Sequence, residues 1–231
     1  VGQVRNRIRT RISNPEALLY RNIPAVENCH WPQGIDILPP GMQENRELDI
    51  LAGRLTFLNS TQNVGWMPDW QSDELPKLWL YNLHYFESLW ALEYEDAKVV
   101  VFDWIKNHQP AKAQQGWEPY PISLRVMNIC GVFFAKYRPE IEGEEEFRKQ
   151  LWKSIYLQVE WLMNHLETHL LGNHYLENGA ALAFVGSCFE GEVSQRWLDK
   201  GLEILQSEIS EQILPDGMHF ELSPMYHSRV L

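Results

Sequence analysis

Beyond residue 72 the apolar positions recur at helical spacing, and the helices they predict come in pairs. Over 192 to 213, Val193, Trp197, Leu198, Leu202, Leu205 and Ile209 follow one another at one-, three- and four-residue steps with charged residues between them, the pattern of a single apolar stripe on an amphipathic helix. Similar amphipathic helices are expected over about 95 to 108 and 143 to 168. Between them lie runs richer in aromatic and small residues, Ile122 to Tyr137 and Ala180 to Ser187, which predict helices covered on several sides.

The starts of this second set carry their own punctuation. Pro76, Pro121 and Pro224 each stand just ahead of an apolar-aromatic run, where proline's missing N–H would be unpaired in any case. Asn173 marks a fourth start of the same kind, because its amide oxygen can cap an orphan N–H of the helix that runs on to about Phe189. These starts recur about every fifty residues with two helices per interval, the signature of an α-hairpin array. The expected fold is therefore all-α, an incomplete (α/α) toroid over residues 73–231. Its inner helices run parallel, their N-termini meet at one mouth, and an amphipathic outer layer wraps them.

Residues 1–72 read differently. Arg5, Arg7, Arg9 and Arg11 lead into helix-compatible sequence, and from about 25 to 72 proline and glycine punctuate an irregular cap. Within it Gly53 to Leu58, with Thr56 and Phe57, suits a short strand and leaves room for a small hairpin. Asn59 to Asn63 and Gly65 to Trp70 read as turns with packed tryptophans.

Composition narrows what such a mouth can do. With 231 residues, 45% hydrophobic and 12% aromatic, the chain can bury a sizeable core. Ten tryptophans suggest rings to spare for stacking on sugars. A formal net charge of −11 argues against a nucleic-acid partner, which needs a basic surface. Cys29, Cys130 and Cys188 are too scattered for a disulfide framework or a metal site and read as buried apolar residues. No apolar run is long enough to span a membrane. The chain has no initiator Met and stops a few residues into a helix, so it is expected to be part of a longer protein.

The polar residues of the inner-helix starts share one address. Tyr81, Asn82, His84 and Tyr85 follow Pro76; Ser123 and Arg125 follow Pro121; Asn173, His174 and Glu177 open the third helix; Ser223, Tyr226 and His227 open the fourth. Trp117 and Tyr120, in the linker entering the mouth, are placed to stack on a sugar. Each helix start adds the positive end of its dipole, so an acidic protein can still hold a carboxylate there. Arg125 would be costly to bury unpaired. Either a protein acid satisfies it or it faces the cleft to meet a substrate carboxylate.

For a sugar bearing a carboxylate, β-elimination requires donors that stabilise the developing enolate and an acid for the departing bridging oxygen. Asn173 and His174 are donors of that kind, and Tyr226 is the candidate acid. An α/α-toroid glycoside hydrolase is the alternative enzyme. It needs two flanking carboxylates, for which Glu177, Asp216 and Glu221 come forward, although Pro215-Asp-Gly217 reads as a turn. A non-catalytic polysaccharide-binding module is the other alternative. His174, His219 and His227 lack the spacing of a zinc site, and no cofactor or metal is expected in this chain.

Four stretches, Leu80 to Glu87, Pro119 to Arg125, Gly172 to Asn178 and Glu211 to Tyr226, jointly resemble the N-terminal toroid of the heparinase II/III family, which in turn resembles alginate lyases. The resemblance implies elimination on uronate-containing polysaccharides, with Asn173 and His174 neutralising the uronate carboxylate and Tyr226 donating the proton. It also implies an antiparallel β-sandwich domain beyond this chain, supplying a further catalytic His or Tyr and in many members a structural metal. The partner is then an anionic polysaccharide or oligosaccharide, with an exopolysaccharide more in keeping than heparin. Of the compartments, the periplasm of a bacterium is slightly favoured over the cytoplasm.

Overall fold

A computed structural model describes residues 23–24, 45–110, 114–170, 173–224 and 227–228. Short helix α1 (Glu47–Leu51) leads into a hairpin of β1 (Arg54–Phe57) and β2 (Ser60–Asn63), paired antiparallel with Phe57 opposite Ser60. Leu58 and Asn59 both take positive φ, 55° and 59°, the two-residue turn whose twist matches that of the strands. Residues 60–63, expected as a turn, are thus the second strand: the turn needs only two residues. Gly53, at φ +76°, lies so close to Gly65 that a Cβ would sit 2.6 Å from the Gly65 Cα. The basic lead-in and most of the irregular segment before residue 45 lie outside the described residues.

The expected helix pairs follow. They are α2 (Lys77–Tyr85) with α3 (Tyr94–Asn107), α4 (Pro119–Gly131) with α6 (Glu145–Asn164), and α7 (Asn173–Cys188) with α8 (Glu192–Gln212). A short 3-10 segment follows α2 at Glu87–Ala91, a π-helical turn extends α4 over Val132–Lys136, and α5 (Arg138–Glu142) precedes α6. Two starts match their proline signals only loosely: Pro76 flanks α2 from outside, and α4 begins at Pro119, with Pro121 inside its first turn.

Contacts between helices fix their directions. Tyr81 meets Glu118 and the Tyr85 carbonyl meets Asn128, so α2 and α4 run parallel. Tyr120 meets Asn173 and Ser123 meets Asn178, so α4 and α7 do too. In the opposite sense, Trp117, Arg125 and Phe133 meet Trp161, Gln158 and Phe147 in turn, which makes α6 antiparallel to α4. Three parallel helices therefore begin at one end.

Helix α6 departs from expectation. Every residue from Ser154 to Leu162 is buried, because α4 covers one side while Trp152, Tyr156 and Glu160 meet Trp197 and Arg196 of α8 on another. Its end differs as well: the helix stops at Asn164, and residues 165–170 form a loop. His165 turns its ring back onto Trp161, 3.7 Å between centroids, with Nδ1 bonded 2.8 Å to the Trp161 carbonyl.

Glycines set the distance between α7 and α8. A Cβ at Gly201 would lie 2.3 Å from the Ala183 nitrogen, at Gly186 2.5 Å from the Leu198 nitrogen, and at Gly179 2.6 Å from an Ile204 methyl. The two backbones touch along an antiparallel seam.

Seven of the tryptophans among the described residues are structural. Trp70, Trp79, Trp104, Trp117, Trp152, Trp161 and Trp197 are all buried, and each indole N–H has an acceptor, as a buried ring requires. Cys130 and Cys188 are buried free thiols, while Cys29 lies outside the described residues. Among the described residues no helix is long and apolar enough to cross a membrane.

Candidate active site

The common end of α2, α4 and α7 gathers part of the expected constellation. Asn173, the first residue of α7, is buried, and its side-chain N–H reaches the Tyr120 hydroxyl at 3.4 Å. Its amide N–H thus reaches across to α4, and residues 171–172, just ahead of it, lie outside the described residues. The Tyr120 ring lies between two others: His174 at 4.4 Å and, edge-on, Tyr85 at 5.9 Å. His174 stays partly exposed, its side chain at 41%. Glu177 is buried one turn further along α7.

Beside this group Tyr81 donates its hydroxyl to Glu118. Burial, then that carboxylate, push its pKa above the ordinary phenol range. Glu118 also pairs with Lys77 at 3.2 Å.

Behind His174 stands a residue that the sequence did not single out. Glu167, in the loop after α6, accepts from His174 Nδ1 at 3.1 Å and from Asn178 Nδ2 at 3.2 Å. Asn178 is fully buried; its Oδ1 accepts the Glu167 backbone N–H at 3.0 Å and its Nδ2 also donates to Ser123 Oγ at 3.1 Å. Ser123 in turn donates to the Pro119 carbonyl at 3.0 Å. With 143 to 168 expected as helix, Glu167 had no reason to stand out: only the loop turns it toward His174.

Other expected site residues lie elsewhere. His84 is fully buried, accepting at Nδ1 from Trp104 at 3.2 Å and so donating from Nε2 to the Trp70 carbonyl at 3.0 Å. Burial first, then His108 and Arg125, hold its pKa well below the usual imidazole range. Arg125 follows neither of the two expected alternatives. Its fully buried guanidinium donates to Gln158 Oε1 (2.7 Å) and to the carbonyls of His84 (3.1 Å) and Gly116 (2.7 Å), and lies 4.1 Å over the Trp104 ring. Burial pushes its pKa down, and these acceptors and the ring stabilise the charge in place of a carboxylate. Trp117, expected on the rim, is buried with its N–H on the His108 carbonyl at 3.1 Å. Asn82 donates back to its own helix at Leu78, 2.8 Å.

At the fourth start Pro224 is helical, and the His227 N–H bonds the Ser223 carbonyl at 2.9 Å. Tyr226 lies outside the described residues. Asp216 and Glu221 are exposed, the former in a turn closed by its bond to the Met218 N–H. His219 is buried against Gln212 at 2.9 Å. Among the described residues no three His, Cys, Asp or Glu side chains are grouped to hold a metal ion.

Comparison with known proteins bears on this geometry. A family model described as the heparinase II/III N-terminus matches residues 76–231. The chain is 29% identical over 143 residues to a heparin-sulfate lyase of Pedobacter heparinus, covering 60% of this chain and 20% of that protein. A heparin-sulfate lyase of Bacteroides stercoris is 28% identical over 124 residues, 50% of this chain and 17% of its own length. The crystal structure of heparan sulfate lyase HepC from Pedobacter heparinus superposes with a TM-score of 0.60 at 22% identity, covering 97% of this chain and 36% of that one. The chain thus spans about a fifth of the first of these relatives, and the structural likeness establishes the fold.

Proposed function

Because this chain belongs to the heparinase II/III family, we propose that the whole protein is a polysaccharide lyase that cleaves uronate-containing glycans by β-elimination. The three helix pairs are then an arc of an α/α toroid, and a C-terminal β-sandwich closes the cleft.

The observation that carries this reading is the meeting of Asn173 and His174 with Tyr120 across two parallel helix starts. Abstracting the proton beside a carboxylate is feasible only where donors already wait for the enolate charge. Asn173 supplies an amide N–H and His174 a ring N–H when protonated, at the positive end of a helix dipole. Tyr226, two residues after Pro224 in the sequence, donates the proton to the departing bridging oxygen. A further His or Tyr from beyond this chain takes part in the proton transfers. Tyr120 offers its half-buried ring to a sugar. The names of the relatives point to a sulfated glycosaminoglycan as one substrate class, and bacterial exopolysaccharides are the other to try.

The test is to incubate the full-length protein with a panel of uronate polymers and follow the ultraviolet absorbance of the unsaturated product. A rise with one polymer supports elimination and identifies the substrate. New reducing ends without that absorbance would instead support hydrolysis, and binding without cleavage a non-catalytic module.

A further inference from the structure

The hydrogen-bond chain behind His174 has a fixed polarity, because both of its ends are backbone groups. At one end the Glu167 N–H can only donate, so the Asn178 atom that receives it is the amide oxygen. That leaves both Asn178 N–H groups as donors, one to Ser123 Oγ and one to Glu167 Oε2. Ser123, having accepted, passes its own hydrogen to the Pro119 carbonyl, which can only accept. Every member of this buried set is satisfied in that one sense, and reversing any link leaves donor facing donor or acceptor facing acceptor. The Glu167 carboxylate, an acceptor at both oxygens, then faces His174 Nδ1 at 3.1 Å.

We propose that Glu167 is the positioning residue of the site: held by Asn178, it fixes His174 as the Nδ1–H tautomer and commits the far nitrogen, Nε2, to the substrate. In the neutral ring Nε2 presents a lone pair. When the ring takes a second proton, Nε2 becomes a donor for a carboxylate, and Glu167 lies opposite to balance the charge. Tyr120, packed against the ring at 4.4 Å and tilted by 37°, limits its rotation, so Glu167 and Tyr120 together define where Nε2 points. The use of Nε2 on a uronate rests on the lyase reading; the tautomer does not.

Glu167→Gln tests the idea because of that fixed polarity. Asn178 still offers an N–H, so the new amide must turn its oxygen there and its NH2 toward His174, which can accept only by moving its hydrogen to Nε2. In full-length protein with ring-15N histidine, assigned by a His174→Gln variant, the parent is expected to show a protonated Nδ1 at His174. Glu167→Gln is expected to show a protonated Nε2 instead. On a polymer the parent cleaves, the variant should lose turnover at least about tenfold with a much smaller change in KM, as wrong-tautomer variants do. A parent ring protonated at Nε2 alone overturns the proposal without any variant, and so does a tautomer unchanged by Glu167→Gln. A switched tautomer in a protein that cleaves no uronate polymer would leave the positioning role standing and remove the lyase reading.

Discussion

The Tyr120 ring lies 4.4 Å from that of His174, tilted by 37°, although the two belong to the first turns of different helices. Tyr85 braces the same ring edge-on. Tyr120→Ala should therefore weaken oligosaccharide binding about three- to tenfold, the worth of one aromatic stack, and free the His174 ring to turn. Calorimetric titration of a full-length, catalytically silenced protein checks this, and unchanged affinity in a folded variant would count against a sugar platform at Tyr120. Trp117→Ala should behave differently. With that indole in the core, the expected effect is a stability loss of about 3–5 kcal/mol.

If the proposed elimination holds, Tyr226→Phe in the full-length protein should remove most turnover while substrate binding stays near normal, since the proposed role needs only the phenolic oxygen. Asn173→Ala should lower turnover as well, with circular dichroism confirming the fold. Full activity of Tyr226→Phe on a substrate that the parent cleaves would refute the assigned mechanism.

Stability should fall as the solution is acidified below neutrality. Burial, then Arg125, holds His108 down at about 3, and His84 is depressed in the same direction. Between the unfolded value near 6.5 and these folded values the unfolded chain binds more protons, so stability rises with pH. The contribution is complete above about pH 6.5 and lost as pH falls below it, toward about 3 for His108, by up to about 1.4 kcal/mol per pH unit for a single ring. Urea midpoints measured from pH 7 to pH 4 should track this slope, and a flat profile would contradict it.

Replacing Arg125 with Met should cost about 3–5 kcal/mol, because Gln158 and the carbonyls of His84 and Gly116 lose their donor inside the core. Arg125→Lys should restore only part of this, since an ammonium cannot span three acceptors in a plane. Denaturant unfolding of the three proteins decides the order.

The helix pairs were legible in sequence because their signals are local. Apolar spacing marked α3, α6 and α8, proline and asparagine marked the inner starts, and β-branched and aromatic residues marked the first strand of the hairpin. The fates of His84, Arg125 and Trp117 were not legible, since a polar or amphipathic side chain near a helix start reads alike whether it faces the mouth or the core. What decides is a partner far along the chain: Gln158 for Arg125, Trp104 and the Trp70 carbonyl for His84. Glu167 was missed for a related reason. No glycine or proline announces the end of α6, and the acid that orients His174 was read as one more charged residue on a helix.

Alanine is ordinarily the better helix residue by about 1 kcal/mol, yet Gly186→Ala and Gly201→Ala should each destabilise the protein. The added carbon would meet a backbone atom of the facing helix at 2.5 or 2.3 Å, and backbone cannot step aside as a side chain can. Thermal melts should show lower midpoints for both.

The seam between α7 and α8 also acts as a datum for everything mounted on α7. At Gly186 and Gly201 the separation of the two helices is set by backbone touching backbone, as two machined faces set the height of what is bolted above them. Asn173, His174 and Asn178 ride on that surface. A one-carbon shim at Gly186, more than three helical turns from His174, would tilt the mount and misalign the His174 ring against Glu167 and Tyr120, so the accuracy of the end that carries the candidate site is toleranced at its opposite end.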